Sequence, residues 1–323
     1  MSEKSNALVS VKNLTIRAGE RILVKGMDLE IERDELLGIA GESGSGKTML
    51  IRALLQILPE GVTYSADRLE MFGTDCLKLR ARQWRTLIGS HIGFVPQNTM
   101  FYLHPMMKIK KQIADGYLSY NKGSRAQAMQ RAEDLLRKVG FDDPRRILNS
   151  YAWELSGGMR QRVNIAMALM RSPDLLIADE PTTALDAAIQ RQIMELFMKI
   201  SAETGIAIVM VSHDLGMLRQ YSRRTLVMYA GRMVEKGATE EIFRRAAHPY
   251  TAALMNVIPS LGKKPERLSE IPGYVPDSGR ETDACIFAPR CPKACDACRA
   301  PLSVRDLGAG HLCLCALAGG EEA

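Results

Sequence analysis

The segment Gly41-Glu42-Ser43-Gly44-Ser45-Gly46-Lys47-Thr48 carries the spacing G-x-x-x-x-G-K-[ST], and the chemistry of that spacing is the capture of a polyphosphate. Glycines let such a loop curl until successive backbone N–H groups face phosphate oxygens, and a helix that follows adds positive potential at its amino end. The pattern sends the Lys47 ammonium to the β and γ phosphates and the Thr48 hydroxyl to Mg²⁺. A second group stands in Leu175-Leu176-Ile177-Ala178-Asp179-Glu180, an apolar run that ends on two carboxylates. Asp179 suits a Mg²⁺ shell, while Glu180 suits the polarisation of a water attacking the γ phosphate. A third lies at the far end, where Cys285, Cys291, Cys295, Cys298, Cys313 and Cys315 crowd into the last 39 residues. In a reducing compartment such crowding points to metal ligands before disulfides.

These groups act only if regular elements aim them. Strand and helix signals alternate through the first 250 residues, which predicts a parallel sheet covered by helices on both faces. The short apolar runs 36–40, 175–178 and 207–211 read as its central strands. The phosphate loop then sits between a strand and a helix, with Pro59 expected to end that helix. Farther on, Ser124 and Gln127 form a capping box, Met129, Ala132, Leu136 and Val139 recur at helical spacing, and Gly140 supplies a stop. This stretch predicts a helical subdomain. From about Ile258 the chain turns to Pro, Gly and charged residues, including Gly262-Lys263-Lys264-Pro265. That shift places a boundary between a domain of residues 1–257 and an extension of residues 258–323.

Hydrophobic residues make up 46% and charged residues 25% of the 323, which excludes a fibrous or disordered chain. The net charge of +6 is scattered and reads chiefly as a solvated surface, with an anionic membrane or nucleotide phosphates as its other possible uses. No nucleic-acid partner is expected. Apolar runs such as 206–211 fall far short of the roughly 18 residues that cross a bilayer, so membrane association is expected through a partner. The start of the chain, with Glu3 and no apolar core, predicts a protein kept in the cytosol.

About twenty residues before the carboxylate strand lies Leu155-Ser156-Gly157-Gly158-Met159-Arg160-Gln161-Arg162. It resembles the signature motif of ABC ATPases and opens a helix whose Ser156 and glycine amides can face phosphate. The family's other elements follow in order: Gln97 after 92–95, Ala184-Leu185-Asp186 after Glu180, and His213 after the strand ending at Ser212. The resemblance implies an α/β P-loop NTPase of ABC type, with a parallel-sheet core, an antiparallel β subdomain and a helical subdomain, plus a small Cys-rich C-terminal extension. It also implies a head-to-tail dimer in which each ATP lies between one subunit's phosphate loop and the other's Ser156, Gly157 and Gly158. By the same resemblance Gln97 touches Mg²⁺ and the attacking water, Asp186 helps join the subunits, and His213 holds the γ phosphate and orients Glu180. One departure is that Leu14-Thr15-Ile16-Arg17-Ala18 offers no aromatic for adenine, leaving the face of Arg17 as a substitute.

Within that family the chain is similar to subunits of the peptide and nickel importer group. The residues concerned are Pro181-Thr182-Thr183-Ala184-Leu185-Asp186, His248-Pro249-Tyr250-Thr251 and Cys285-Ile286-Phe287-Ala288-Pro289-Arg290-Cys291-Pro292. The similarity implies the ATP-hydrolysing subunit of an importer for peptides or nickel at the cytoplasmic face of the cell membrane. Its implied partners are two integral membrane permease subunits, an extracytoplasmic substrate-binding protein, and a mate that is a second related ATPase subunit or another copy. Ile57-Leu58-Pro59-Glu60-Gly61-Val62 leans toward nickel, and the wording after Gln97, residues 98–105, departs from the group. Cys285, Cys291, Cys298 and Cys315, separated by five, six and sixteen residues, match the group's four-cysteine pattern. The resemblance favours a [4Fe–4S] cluster there, with Zn²⁺ or free thiols as alternatives and Cys295 and Cys313 as extra candidates. The rival class is an ABC-type ATPase acting on DNA or ribosomes. Against it stand the lack of sustained heptads between the two motif halves and the single ATPase module.

Overall fold

The computed structural model of the chain describes residues 7–97, 102–119, 123–256, 271–275 and 283–319. The expected boundary near Ile258, Gly262-Lys263-Lys264-Pro265 and residues 98–101 after Gln97 lie outside the described residues. The chain forms two compact units: Met1–Leu8, Glu32–Glu35 and Phe72–Val209 make the first, and Val9–Ile31, Leu36–Met71 and Met210–Ala323 the second.

In the first unit Ile92–Val95 runs parallel to Leu175–Asp179, with Ile92 opposite Leu175 and Val95 opposite Ala178. Leu175–Asp179 is buried at every position, as a strand covered on both faces must be. Gly93 is there for space, because a Cβ would stand 2.6 Å from the Ala168 carbonyl oxygen in the Gly157–Leu169 helix. The expected helical subdomain consists of Ile109–Leu118, Arg125–Lys138, Pro144–Asn149 and Gly157–Leu169. The capping box forms reciprocally: the Gln127 amide donates to Ser124 Oγ at 3.2 Å, and the Ser124 amide donates to Gln127 Oε1 at 2.8 Å. Ala128, Ala132, Leu135 and Leu136 turn inward, and Gly140 at φ 92° follows the helix end.

In the second unit the strand order is Arg305–Asp306, Leu312–Cys313, Arg232–Ala238, Arg224–Tyr229, Leu36–Ala40. Leu36–Ala40, buried throughout, is parallel to Arg224–Tyr229, which pairs antiparallel with Arg232–Ala238. An antiparallel layer is built on Ala7–Ala18, whose neighbours are Arg21–Glu32, Arg68–Met71 and Val62–Ser65. Burial along Arg21–Glu32 alternates at Ile22 and Val24, slips at Gly26 with φ 61°, and resumes at Met27, Leu29 and Ile31. The slip keeps one face on the core across the irregularity.

The helix after the phosphate loop is shorter than expected, covering Lys47–Leu54 and not reaching Pro59. Gln56 takes a left-handed conformation at φ 56°, and the Ile57 amide donates back to the Arg52 carbonyl at 3.0 Å. That closure ends the helix before the proline can. Among the described residues no helix is long and apolar enough to cross a membrane.

Candidate active site

In the second unit, Gly41 at φ 151°, Gly44 at φ 79° and Gly46 at φ 97° bend the phosphate loop. A Cβ on Gly41 would lie 2.3 Å from the Met228 carbonyl oxygen, so the first glycine is required by packing as well as by its dihedral. Gly46 is the N-cap of the Lys47–Leu54 helix and brings no side chain to its first-turn amides. The Lys47 side chain, 5% exposed, curls into the loop and donates to the carbonyls of Gly41 at 2.7 Å and Glu42 at 2.9 Å and to Ser45 Oγ at 3.3 Å. The loop is pinned elsewhere, with the Ser45 amide donating to the Glu42 carbonyl and the Gly231 amide to the Ser45 carbonyl. Ser43 and Thr48 lie in the same turn and helix start. His213 is exposed just beyond the buried strand residue Ser212, where Asp214 caps the Leu215–Tyr221 helix by accepting from the Met217 amide.

In the first unit the apolar run delivers Asp179 buried and Glu180 half-exposed at its end. Glu180 sits at φ 46°, a left-handed conformation that costs a non-glycine residue on the order of 1 kcal/mol. Two donors meet its Oε2: the Gln97 side-chain amide at 2.9 Å and the Thr183 hydroxyl at 2.8 Å. Gln97 thus falls beside the carboxylate. Thr183 was missed, although it stands inside the quoted run after Glu180. Asp186 caps the Ala187–Thr204 helix, accepting from the amides of Ala188 at 3.1 Å and Ile189 at 3.0 Å.

Ser156, also in the first unit, caps the Gly157–Leu169 helix by accepting from the Met159 amide at 3.3 Å and remains exposed. Gly158 packs against Ile189, whose Cγ2 would be 2.9 Å from an added Cβ, and Gly157 faces Leu185. Ser156, Gly158 and Met159 border an open cavity of about 370 Å³ shared with Arg146 and Arg162. The signature therefore presents a serine, two glycines and an uncovered helix start to solvent.

A family model described as ABC transporter matches residues 24–183, and one described as oligopeptide/dipeptide transporter, C-terminal region, matches residues 234–298. A probable peptide ABC transporter ATP-binding protein, y4tR of Sinorhizobium fredii, is 41% identical over 97% of this chain and 95% of its own length. The chain belongs to the ABC transporter family. The dipeptide transport ATP-binding protein DppD of Escherichia coli is 38% identical to this ABC protein, over 91% of each chain. Among solved structures, the ATP-binding cassette MJ0796, a post-hydrolysis dimer bound to ADP and Pi, superposes with a TM-score of 0.63 at 28% identity, covering 72% of this chain and 98% of its own. The cassette cbiO1 from Clostridium perfringens, part of an ABC transporter complex, gives 0.65 at 26% identity over 75% and 92% of the two chains. The α/β P-loop fold of ABC type inferred from the motifs holds. This ABC protein is an ATPase that uses ATP with Mg²⁺ and couples its hydrolysis to transport. The rival reading as a DNA or ribosome ATPase gives way to full-length similarity to transport subunits.

In the C-terminal part of the ABC protein, the geometry lends no support to the four-cysteine expectation. Among the described residues no group of three or more His, Cys, Asp or Glu side chains is gathered so as to hold a metal ion. Cys313 and Cys315 instead pack with Ala318 in a small apolar cluster, and exposed Cys295 stands 3.9 Å from Cys298, sulfur to sulfur. Burial pushes the thiols of Cys285, Cys291 and Cys313 up from their usual range.

Proposed function

We propose that this chain is the ATP-hydrolysing subunit of a peptide importer, attached to the cytoplasmic face of the cell membrane through two integral membrane permease subunits and served by an extracytoplasmic substrate-binding protein. The relatives named above are peptide and dipeptide transport proteins, which moves the reading from nickel to peptides. ATP supplies the γ phosphoryl group that water attacks, with ADP as the leaving group. The loop from Gly41 to Thr48 holds the phosphates with backbone amides and the Lys47 ammonium. Thr48, Asp179 and Gln97 would hold Mg²⁺, which when bound would offset negative charge on the phosphates. Glu180 accepts a hydrogen bond from the attacking water, and His213 steadies the γ phosphate. Ser156, Gly157 and Gly158 of a mate, a second related ATPase subunit or another copy, close the pocket, with Asp186 at the seam between the two.

One observation carries this reading: Gln97 and Thr183 converge on the same oxygen of Glu180, which fixes the carboxylate at the end of the apolar run where a base for water is needed. The test is ATP-dependent uptake of a labelled dipeptide into vesicles holding the chain with its permease subunits and binding protein. Uptake that stops with Glu180→Gln supports the proposal. Robust uptake in that variant, or nickel transport without peptide transport, overturns it.

The cysteines enter the same proposal. The separations of five, six and sixteen residues between Cys285, Cys291, Cys298 and Cys315 match the group's four-cysteine pattern, and it is this likeness that favours a [4Fe–4S] cluster over a single Zn²⁺. Iron and acid-labile sulfide in the anaerobically purified chain support it; zinc alone, or no metal, removes the cluster from the account.

A further inference from the structure

Glu42, the second residue of the phosphate loop, is held by all three of its polar groups within the second unit. Its carbonyl accepts from Lys47 Nζ at 2.9 Å and from the Ser45 amide at 3.1 Å. Its own amide donates to the Tyr250 hydroxyl at 2.9 Å. Its carboxylate takes a two-pronged grip from Arg290, Nη1 to Oε2 at 2.9 Å and Nη2 to Oε1 at 3.2 Å. Arg290 comes from the C-terminal part of the chain, 248 residues away, and its side chain is only 4% exposed.

The guanidinium is itself fixed on every side. Its Nε donates to the Pro272 carbonyl at 2.9 Å, its Nη2 to the Ile271 carbonyl at 3.0 Å and its Nη1 to the Tyr229 hydroxyl at 3.3 Å. Beneath it Tyr229, Tyr250 and Phe287 pack ring to ring, with centroids 4.5 to 5.4 Å apart, and His248 closes on Phe287 at 5.8 Å. All three cage rings are at most 1% exposed. Two of the three sequence words by which the chain resembles its group, around Tyr250 and around Arg290, therefore meet at one residue of the phosphate loop. A planar fork on a carboxylate fixes orientation as well as distance, which a lysine could not do.

We propose that Arg290 is a positioning residue for nucleotide binding: by clamping Glu42 it sets the loop whose carbonyls orient Lys47, and so couples the C-terminal segment to affinity for ATP. This rests on the reading that the loop from Gly41 to Thr48 binds ATP, and wild-type binding of Mg²⁺–ATP is the control by which that reading stands or falls on its own. The clamp is tested with the full-length chain by titrating a fluorescent ATP analogue and by separating KM from kcat in Arg290→Met, Arg290→Lys, Glu42→Gln and the Arg290→Met/Glu42→Gln double variant.

Loss of a charge-assisted pair in a half-buried setting is expected to weaken nucleotide binding about tenfold in Arg290→Met. KM should rise by a similar factor with kcat changed far less, and the double variant should be no worse than the poorer single one. Arg290→Lys, which keeps the charge but loses the fork, is expected between wild type and Met, and it carries the test if Arg290→Met fails to fold. Wild-type KM in a folded Arg290 variant, or single effects that simply add, would make Arg290 a fold-stabilising residue only and overturn the proposal.

Discussion

The Gln97 side-chain amide donates to Glu180 Oε2 at 2.9 Å, so residues that follow the parallel neighbouring strands Ile92–Val95 and Leu175–Asp179 share a hydrogen bond. Replacing Glu180 with Gln preserves the shape of this contact and removes the base. Turnover is expected to fall by about 10²- to 10⁴-fold, while ATP binding stays within a few-fold of wild type. Steady-state phosphate release beside equilibrium nucleotide titration checks both halves.

Two glycines of one loop should respond differently to alanine. At Gly41 the added methyl meets the Met228 carbonyl at 2.3 Å and Ser45 Oγ at 2.6 Å, so backbone has to move; a loss of about 3 kcal/mol or more and of ATP binding is expected. At Gly44 no atom lies within 4 Å, leaving only the strain of φ 79°, about 1 kcal/mol. Thermal melts of both variants, with and without Mg²⁺–ATP, rank them.

Ser156 can be split into its structural and functional duties. Asp is as good an N-cap as Ser, so Ser156→Asp should keep the bond to the Met159 amide and leave the melting midpoint within a degree or two. The added negative charge faces the phosphate of the mate's nucleotide, and ATP-driven dimerisation is expected to vanish. Ser156→Ala should show the reverse balance, losing about 1 kcal/mol of stability with a milder effect on dimerisation. Light scattering in the Glu180→Gln background separates the two.

His248 gives the fold a pH dependence. It is 1% exposed, and its Nδ1 accepts from the Tyr250 amide at 3.0 Å, a role open only to the neutral ring. Burial pushes its pKa down to about 4 from 6.5. Between these values the unfolded chain binds the proton and the folded chain does not, so stability is full above pH 6.5 and declines as pH falls, by roughly 3 kcal/mol in all. His248→Asn, which retains an acceptor near Nδ1, should flatten the melting curve against pH from 6.5 to 4 relative to wild type; parallel curves would assign the acid loss to other groups.

Local and short-range features were readable from sequence. The strands at Leu36–Ala40 and Leu175–Asp179 fall where the apolar runs put them, because burial on both faces leaves a continuous apolar word. The Ser124–Gln127 box is equally local. The Lys47–Leu54 helix ended early because Gln56, not a residue type that announces a left-handed turn, adopts one. Thr183 and Arg290 were invisible for a different reason. Their meaning lies in which oxygen each reaches, at separations of 3 and 248 residues, and periodicity says nothing about such meetings. The cysteines mark another limit, a spacing that reads as one ligand set although Cys313 and Cys315 pack in an apolar cluster and exposed Cys295 lies beside buried Cys298.

The short Leu312–Cys313 strand lies against Arg232–Ala238, with Cys313 facing Glu235, and Arg305–Asp306 finishes the row. Ladder donors that would otherwise point outward along that margin are consumed, and what remains is two residues long with charged side chains. A rim of that kind gives another polypeptide almost nothing to zip onto. Removing the last dozen residues should therefore make the chain clump through its own sheet.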